Sequence, residues 1–193
     1  MIPIVLEQSG RRERLWDMYS RLLRDRIIML DEPIEDQTAS MICAQLLFLQ
    51  SEAPDRPVWL YINSPGGVVT AGLAIYDTMR HVTCPVATLC MGQAASMAAV
   101  LLAAGQPGMR LALPSSRIMV HQPSGGFRGQ ATDAAIHTTE MLRLRAALDA
   151  ILAAASGLSP DAVSALTERD TYLSAPEAVE MGLIDGVARG RKG

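Results

Sequence analysis

Three histidines are the whole supply of imidazole in this chain of 193 residues, so a general base working near neutral pH has few candidates. His81 follows Met79-Arg80 at the end of a predicted helix, where a cation complements the helix dipole and faces solvent. His137 lies among Ala, Ile and Thr inside a long predicted helix and reads as a surface or interface residue. His121 differs. It ends the apolar run Ile118-Met-Val120 and precedes Gln122-Pro123, a strand end of the kind where α/β sheets place their sites.

A nucleophile for that base stands at Ser96. The strand from Val86 to Met91 is read as entering a tight turn, Gly92-Gln-Ala-Ala95, and then a helix that starts near Ser96. A serine so placed exposes its hydroxyl, and helix-start amides, Met97 among them, point toward a developing oxyanion. The competing reading is a plain N-cap. The Gly-x-Ser-x-Gly elbow of α/β-hydrolases is absent, because positions 94 and 98 are both alanine. Between another strand and helix, Asn63-Ser-Pro-Gly-Gly67 is either a sharp turn or the second donor of an oxyanion hole, through Gly67. It matches neither the Walker A loop nor the dinucleotide fingerprint. Glu168-Arg-Asp170 offers a carboxylate to orient His121, with a solvated charge cluster as the alternative. A Ser, His, Asp order along the chain differs from those of chymotrypsin, subtilisin and the α/β-hydrolases, so an independent fold is implied.

The elements that would carry these residues alternate. A strand over Arg26–Leu30, a helix from about Ile34 to Gln50 and a strand over Val58–Ile62 set a βαβ rhythm. It continues with a helix from about Val69 to Arg80, the strand from Val86 and a helix to about Ala104, closed by Gly105 and Pro107. The apolar strands read as buried on both faces, as in a parallel sheet. Two shorter runs, Arg110–Leu113 and Arg117–His121, precede the glycine-rich stretch Gln122–Gln130. A helix of about 40 Å is expected from Thr132 to Ser156, with Ile136, Met141, Leu144, Leu148, Ile151 and Ala155 at helical spacing and Gly157 as its stop. It is too long for one small core, so it should project and pack on another copy; the alternative is a helix lying across the sheet. Ser159-Pro160 and the capping box Ser174-Ala-Pro-Glu177 start two short helices.

Composition narrows the class. With 49% hydrophobic and 19% charged residues, the chain is not of the disordered type. A net charge of −3 gives no global basic footprint for nucleic acid or anionic membrane. The longest apolar run, Ala98–Ala104, is far short of the roughly 20 residues of a span. The N-terminus shows no leader pattern, so a cytoplasmic protein is expected. Cys43, Cys84 and Cys90 lack metal or disulfide spacing and read as buried thiols, with no metal site. One α/β domain over 1–193 is expected.

Together these segments resemble the ClpP family, the peptidase subunit of the ATP-dependent Clp protease. The resemblance runs from about Ile4 to Val187. It is carried by Tyr61-Ile-Asn-Ser-Pro-Gly-Gly-Val68, Cys90-Met-Gly-Gln-Ala-Ala-Ser-Met97, His121-Gln-Pro123, Gly129-Gln-Ala-Thr-Asp133, Glu168-Arg-Asp170 and Ser174-Ala-Pro-Glu-Ala178. The resemblance implies a crotonase-like α/β fold and a serine endopeptidase with Ser96 as nucleophile, His121 as base, Asp170 as orienting carboxylate, and the Gly67 and Met97 amides as the oxyanion hole. It implies an N-terminal axial segment over 1–20 and a handle over 122–156, through which two seven-membered rings stack. Gly125, Gly126 and Phe127 would pair with a bound peptide, and Arg169 would tie the rings together. Trp59, Tyr61, Leu89, Met91, Leu111 and Leu113 match docking sites for an AAA+ unfoldase such as ClpX or ClpA. That partner would use the ATP, and this chain would hold no cofactor. The substrates implied are unfolded polypeptides, and the compartment is the bacterial cytoplasm. Ala188 departs from the expected bulky residue, and Leu166, Ala154-Ala155 and Asp31-Glu-Pro33 also depart, so a divergent or noncatalytic ring paralogue is one alternative. A crotonase-type acyl-CoA enzyme is the other.

Overall fold

The computed structural model describes residues 3–9, 12–126 and 128–188. Phe127, assigned above to peptide binding, lies outside them. The chain opens with an antiparallel hairpin of β1 (Ile4–Ser9) and β2 (Arg12–Asp17), followed by α1 (Met18–Arg24). The alternation anticipated from the apolar runs then follows: β3 (Ile27–Leu30), α2 (Asp36–Glu52), β4 (Val58–Ser64), α3 (Val69–His81), β5 (Val86–Ala95) and α4 (Met97–Ala103). Next come β6 (Arg110–Ala112), β7 (Arg117–Val120), α5 (Ala131–Ser156), α6 (Pro160–Thr167), β8 (Thr171–Ser174), α7 (Ala175–Glu180) and β9 (Gly186–Val187).

The order β3-β4-β5-β6-β9 is parallel throughout. The central strand β5 is ten residues long, and its two ends have different neighbours. Thr88–Cys90 pairs with β6, whereas Gln93–Ala95 pairs with β7, which in turn carries β8 antiparallel. Between these stretches the ladder with β4 slips, from Ile62↔Cys90 to Ser64↔Ala94, a bulge centred near Gly92. Gly92-Gln-Ala-Ala95 is therefore strand right up to Ser96, not the tight turn its small residues suggested.

Burial also departs from the two-sided expectation. In β4 it alternates: Val58, Leu60 and Ile62 are buried against the helices, while Trp59 and Tyr61 on the opposite face stay half-exposed. Leu30, Leu46, Leu49, Leu60, Leu101, Leu102 and Ile118 are among the fully buried side chains of the core. Every residue of α4 is buried, as its unbroken apolar composition requires. Of the 26 residues of α5, only Leu148 and Leu152 are buried; Ile136 is 67% and Leu142 59% exposed. The protomer thus holds the C-terminal half of α5 and leaves the apolar side chains of its N-terminal half uncovered. Gly157 ends α5 in the left-handed conformation, and Ser159 and the Ser174–Glu177 capping box start α6 and α7, as read from the sequence. Cys84 and Cys90 are buried and Cys43 is half-buried. Burial pushes the Cys90 thiol up to about 11.

Arg26, read above as the start of a strand, instead closes the turn before β3 with φ 64 and is 4% exposed. Among the described residues, no carboxylate pairs with it. Its guanidinium donates to the carbonyls of Leu49, Ala53, Arg56 and Pro57 at 2.8, 3.0, 2.8 and 3.1 Å. A cation so placed satisfies the carbonyl end of α2 and complements its dipole. Arg26→Ala should cost about 2–4 kcal/mol, lowering Tm by roughly 5–15 °C for a chain of this size. Arg26→Gly, which relieves the backbone conformation but also loses the four bonds, should melt early too; variants melting with the parent would show that the carbonyl cage contributes nothing.

Candidate active site

The register of three neighbouring strands brings the predicted residues together. Ala95↔Met119 is the last pair of β5 with β7, and Val120↔Thr171 closes the ladder of β7 with β8. One step beyond each strand end lie Ser96, His121 and Asp170. Residues 25 and 49 positions apart in sequence therefore meet: His121 Nε2 is 2.9 Å from Ser96 Oγ, and His121 Nδ1 is 3.1 Å from Asp170 Oδ1. With Nδ1 carrying the proton and donating to the carboxylate, Nε2 is the acceptor for the serine hydroxyl. The His121 side chain is 24% and that of Asp170 58% exposed, so the relay lies open along one side of the isolated protomer. His81 and His137 are both exposed.

Ser96 occupies the N-cap position of α4, but its side chain makes no capping bond. The plain N-cap reading therefore falls. Its backbone is at φ 55, ψ −125, a conformation that costs of order 1–3 kcal/mol in a residue with a Cβ. The surroundings hold it: the Ser96 amide donates to Met119 O at 2.8 Å, and its carbonyl accepts from Ala99 at 2.9 Å. This geometry turns the hydroxyl away from the helix and toward His121.

Beside Ser96 runs the loop from Asn63 to Val68, pinned to the segment before α2. Ile34 N donates to Gly66 O at 2.9 Å, and Val68 N donates to Ile34 O at 2.8 Å. The pinning places Gly66 against Ser96: a Cβ there would stand 2.5 Å from Ala95 O, 2.8 Å from Ser96 Cβ and 3.0 Å from Met97 N. Met97 opens α4, so its amide has no carbonyl partner in the helix. The sequence reading names Gly67 and Met97 but not Gly66, whose φ of 87 and tight packing are what let the loop approach. The buried Ser64 is engaged elsewhere, its hydroxyl donating to Glu32 O at 2.7 Å.

A groove of about 520 Å³ begins two residues beyond His121, between Pro123–Gly126 and the His137–Leu144 stretch of α5, with Val69 also lining it. Gly125 and Gly126 are exposed and belong to no ladder. Arg169 is exposed and forms no ion pair among the described residues. On the sheet face away from α2 and α3, the register aligns Tyr61, Leu89 and Leu111 in one row. Trp59 meets Tyr61 edge to face at 6.3 Å. Met91 and Leu111 are half-buried and Leu113 is 37% exposed, but Leu89 is only 8% exposed.

The family model described as Clp protease matches residues 10–191 of the chain. The chain belongs to the Clp protease family. Membership makes it a Clp-type peptidase, and its α/β sheet with flanking helices is consistent with that family. Among the described residues of this Clp-family chain, no helix is long and apolar enough to cross a membrane, and no group of three His, Cys, Asp or Glu side chains could hold a metal ion.

Proposed function

We propose that this chain is a serine endopeptidase subunit of a self-compartmentalised, ATP-dependent protease that cuts unfolded polypeptides into short peptides. The observation that carries the reading is the alignment of Ser96, His121 and Asp170 at 2.9 and 3.1 Å. Ser96 Oγ attacks the scissile carbonyl while His121 Nε2 takes its proton. His121 then returns the proton to the leaving amine, and Asp170 holds the imidazole in the required tautomer and stabilises the imidazolium. The amides of Gly67 and Met97 receive the negative charge on the carbonyl oxygen. Water attacks the acyl-enzyme by the same route to free Ser96. An extended substrate pairs with main-chain groups of Gly125 and Gly126, with a side chain in the groove facing Met141 and Leu144; main-chain pairing suits broad specificity.

Assembly follows from what the protomer leaves uncovered. The crotonase-like subunits close into seven-membered rings, and two rings stack through α5, which covers Ile136 and Leu142 and gives Arg169 an acidic partner across the junction. The half-exposed row around Trp59, Tyr61, Met91, Leu111 and Leu113 receives apolar loops of an AAA+ unfoldase, with Leu89 backing it from beneath. The unfoldase consumes the ATP.

The test is the purified chain, with native mass spectrometry for the ring count and two substrates for the activity. A short fluorogenic peptide should be hydrolysed without ATP, whereas a stably folded protein should be degraded only when an ATP-driven unfoldase is added. Unaided digestion of the folded protein would contradict compartmentation. Hydrolysis of an acyl-CoA thioester in place of the peptide would turn the assignment to a crotonase-type enzyme.

A further inference from the structure

Arg145 lies on α5 at the point where the helix leaves the body, three residues before Leu148, the first buried residue of the helix. Its side chain is 24% exposed, and its guanidinium reaches away from the axis of α5 to three partners. It donates to Gln122 Oε1 at 2.8 Å, to Glu168 Oε2 at 2.9 Å and to Ser164 Oγ at 3.3 Å. Asp149, one turn along, is 3.8 Å from its Nε. The first two partners also bind each other, since Gln122 Nε2 donates to Glu168 O at 2.9 Å, and Gln122 N donates to Thr167 O at 2.7 Å.

This closed set has a particular place. Gln122 follows His121, and Glu168 comes two residues before Asp170. On the inner side, the pair Val120↔Thr171 ends the β7–β8 ladder; on the outer side, the Gln122–Arg145–Glu168 ring takes over. The imidazole and its carboxylate are thus suspended between two tethers, one made by the sheet and one by α5. Without the outer tether, the ladder end and the Gln122 N–Thr167 O bond are left to fix the separation of two side chains at the exposed margin of the protomer. A planar fork is required to reach both Gln122 and Glu168 from one position.

We propose that Arg145 is a positioning residue that sets the His121–Asp170 geometry from α5, so that the seating of this helix is felt at the base rather than at the nucleophile or the groove. The inference rests on the triad reading above. The position of α5 controls how well the imidazole is oriented, and hence the rate of proton transfer, while peptide binding is left alone.

Three variants test it: Arg145→Ala, Arg145→Lys and Gln122→Ala, each assayed with a fluorogenic peptide and a fluorophosphonate probe, with sedimentation velocity on the same samples. Arg145→Ala should lower kcat about 10- to 100-fold, with KM within roughly twofold, and slow probe labelling by the same factor. Arg145→Lys, which keeps the charge but reaches one partner, should recover part of the loss. Gln122→Ala cuts the tether without touching α5, so it should reproduce the fall in kcat even if Arg145→Ala proves poorly assembled. The Arg145→Ala, Gln122→Ala double variant should be no slower than the worse single one. A Gln122→Ala protein with parental kcat, a loss confined to KM, or losses that multiply in the double variant would each overturn the proposal. If the parent protein is cleaved from its probe response altogether, neither labelling nor hydrolysing peptide, the triad reading fails first and takes the inference with it; parental activity with unaffected variants removes the inference alone.

Discussion

Ser96→Ala should reduce peptide hydrolysis by roughly four to six powers of ten and abolish fluorophosphonate labelling, while the protein keeps its melting temperature and assembly. The size follows from the chemistry: an alkoxide attack has no substitute when the hydroxyl is gone, and losing the serine of such a relay costs about as much as losing the whole relay. The retained fold follows from the packing. The Ser96 side chain makes no capping bond to α4, so the change removes one hydroxyl whose bond is to His121, and alanine meets the same backbone conformation as serine. Two nearby serines, Ser64 and Ser116, offer no bypass. Ser64 is buried and donates to Glu32 O at 2.7 Å, and Ser116 is committed to Cys90 O at 2.9 Å. Turnover by the purified variant above a thousandth of the parental rate would remove Ser96 from the mechanism.

Gly66→Ala should be nearly as damaging to catalysis although the residue carries no reactive group. A methyl there has no room, since the nearest atoms are Ala95 O, Ser96 Cβ and Met97 N, at 2.5, 2.8 and 3.0 Å. Two of these are backbone, so relief requires the Asn63–Val68 loop and the start of α4 to separate. The loop is also pinned by Ile34 on its far side, so the displacement is expected at Ser96 and at the Gly67 and Met97 amides. A shift of an ångström in such groups costs about 100-fold, and losing one oxyanion donor about 100- to 1,000-fold. The expected fall in kcat is therefore at least about 100-fold. Gly108→Ala is the control, because Gly108 has a similar φ of 85 but nothing within 4 Å of the added Cβ. It should cost about 1 kcal/mol of stability and leave kcat unchanged. Equal kinetics for the two variants would show that the strain of φ, not contact with the nucleophile, decides the effect.

The candidate triad was legible because His121 follows and Asp170 precedes a run of strand-forming residues, and Ser96 stands between small residues and an apolar helix, all of them short-range features. The caps of α6 and α7 were legible for the same reason, being written within four residues. The continuation of β5 through Gly92-Gln-Ala-Ala95 was not. Small residues have weak strand preference, and here the conformation is imposed by β4 on one side and β7 on the other. Arg26 was misread because its four acceptors are carbonyls 23 to 31 residues away, and a carbonyl leaves no mark in the sequence. Arg145 is hidden for a related reason: an arginine on a long, largely exposed helix looks like any solvated charge until the fold brings Gln122 and Glu168 to it. The hairpin from Ile4 to Asp17 is not legible as a strand pair, because its apolar residues come in runs, Ile4-Val-Leu6 and Leu15-Trp16, and do not alternate with the polar ones.

Because β5 changes neighbours part-way along, the sheet is two ribbons sharing one strand. The first holds β3, β4, β6 and β9 with the apolar row of Tyr61, Leu89 and Leu111; the second holds β7 and β8 with the ends that carry His121 and Asp170. Twist accumulates from strand to strand within a ribbon, and here the two are joined through Met91–Gln93 and the Ser64↔Ala94 pair. Ser96 rides on the second ribbon, tied to Met119 O at 2.8 Å. Serine, imidazole and carboxylate are therefore fastened to one ribbon, and the strands of the apolar row reach them through β5 and the Ser64↔Ala94 pair.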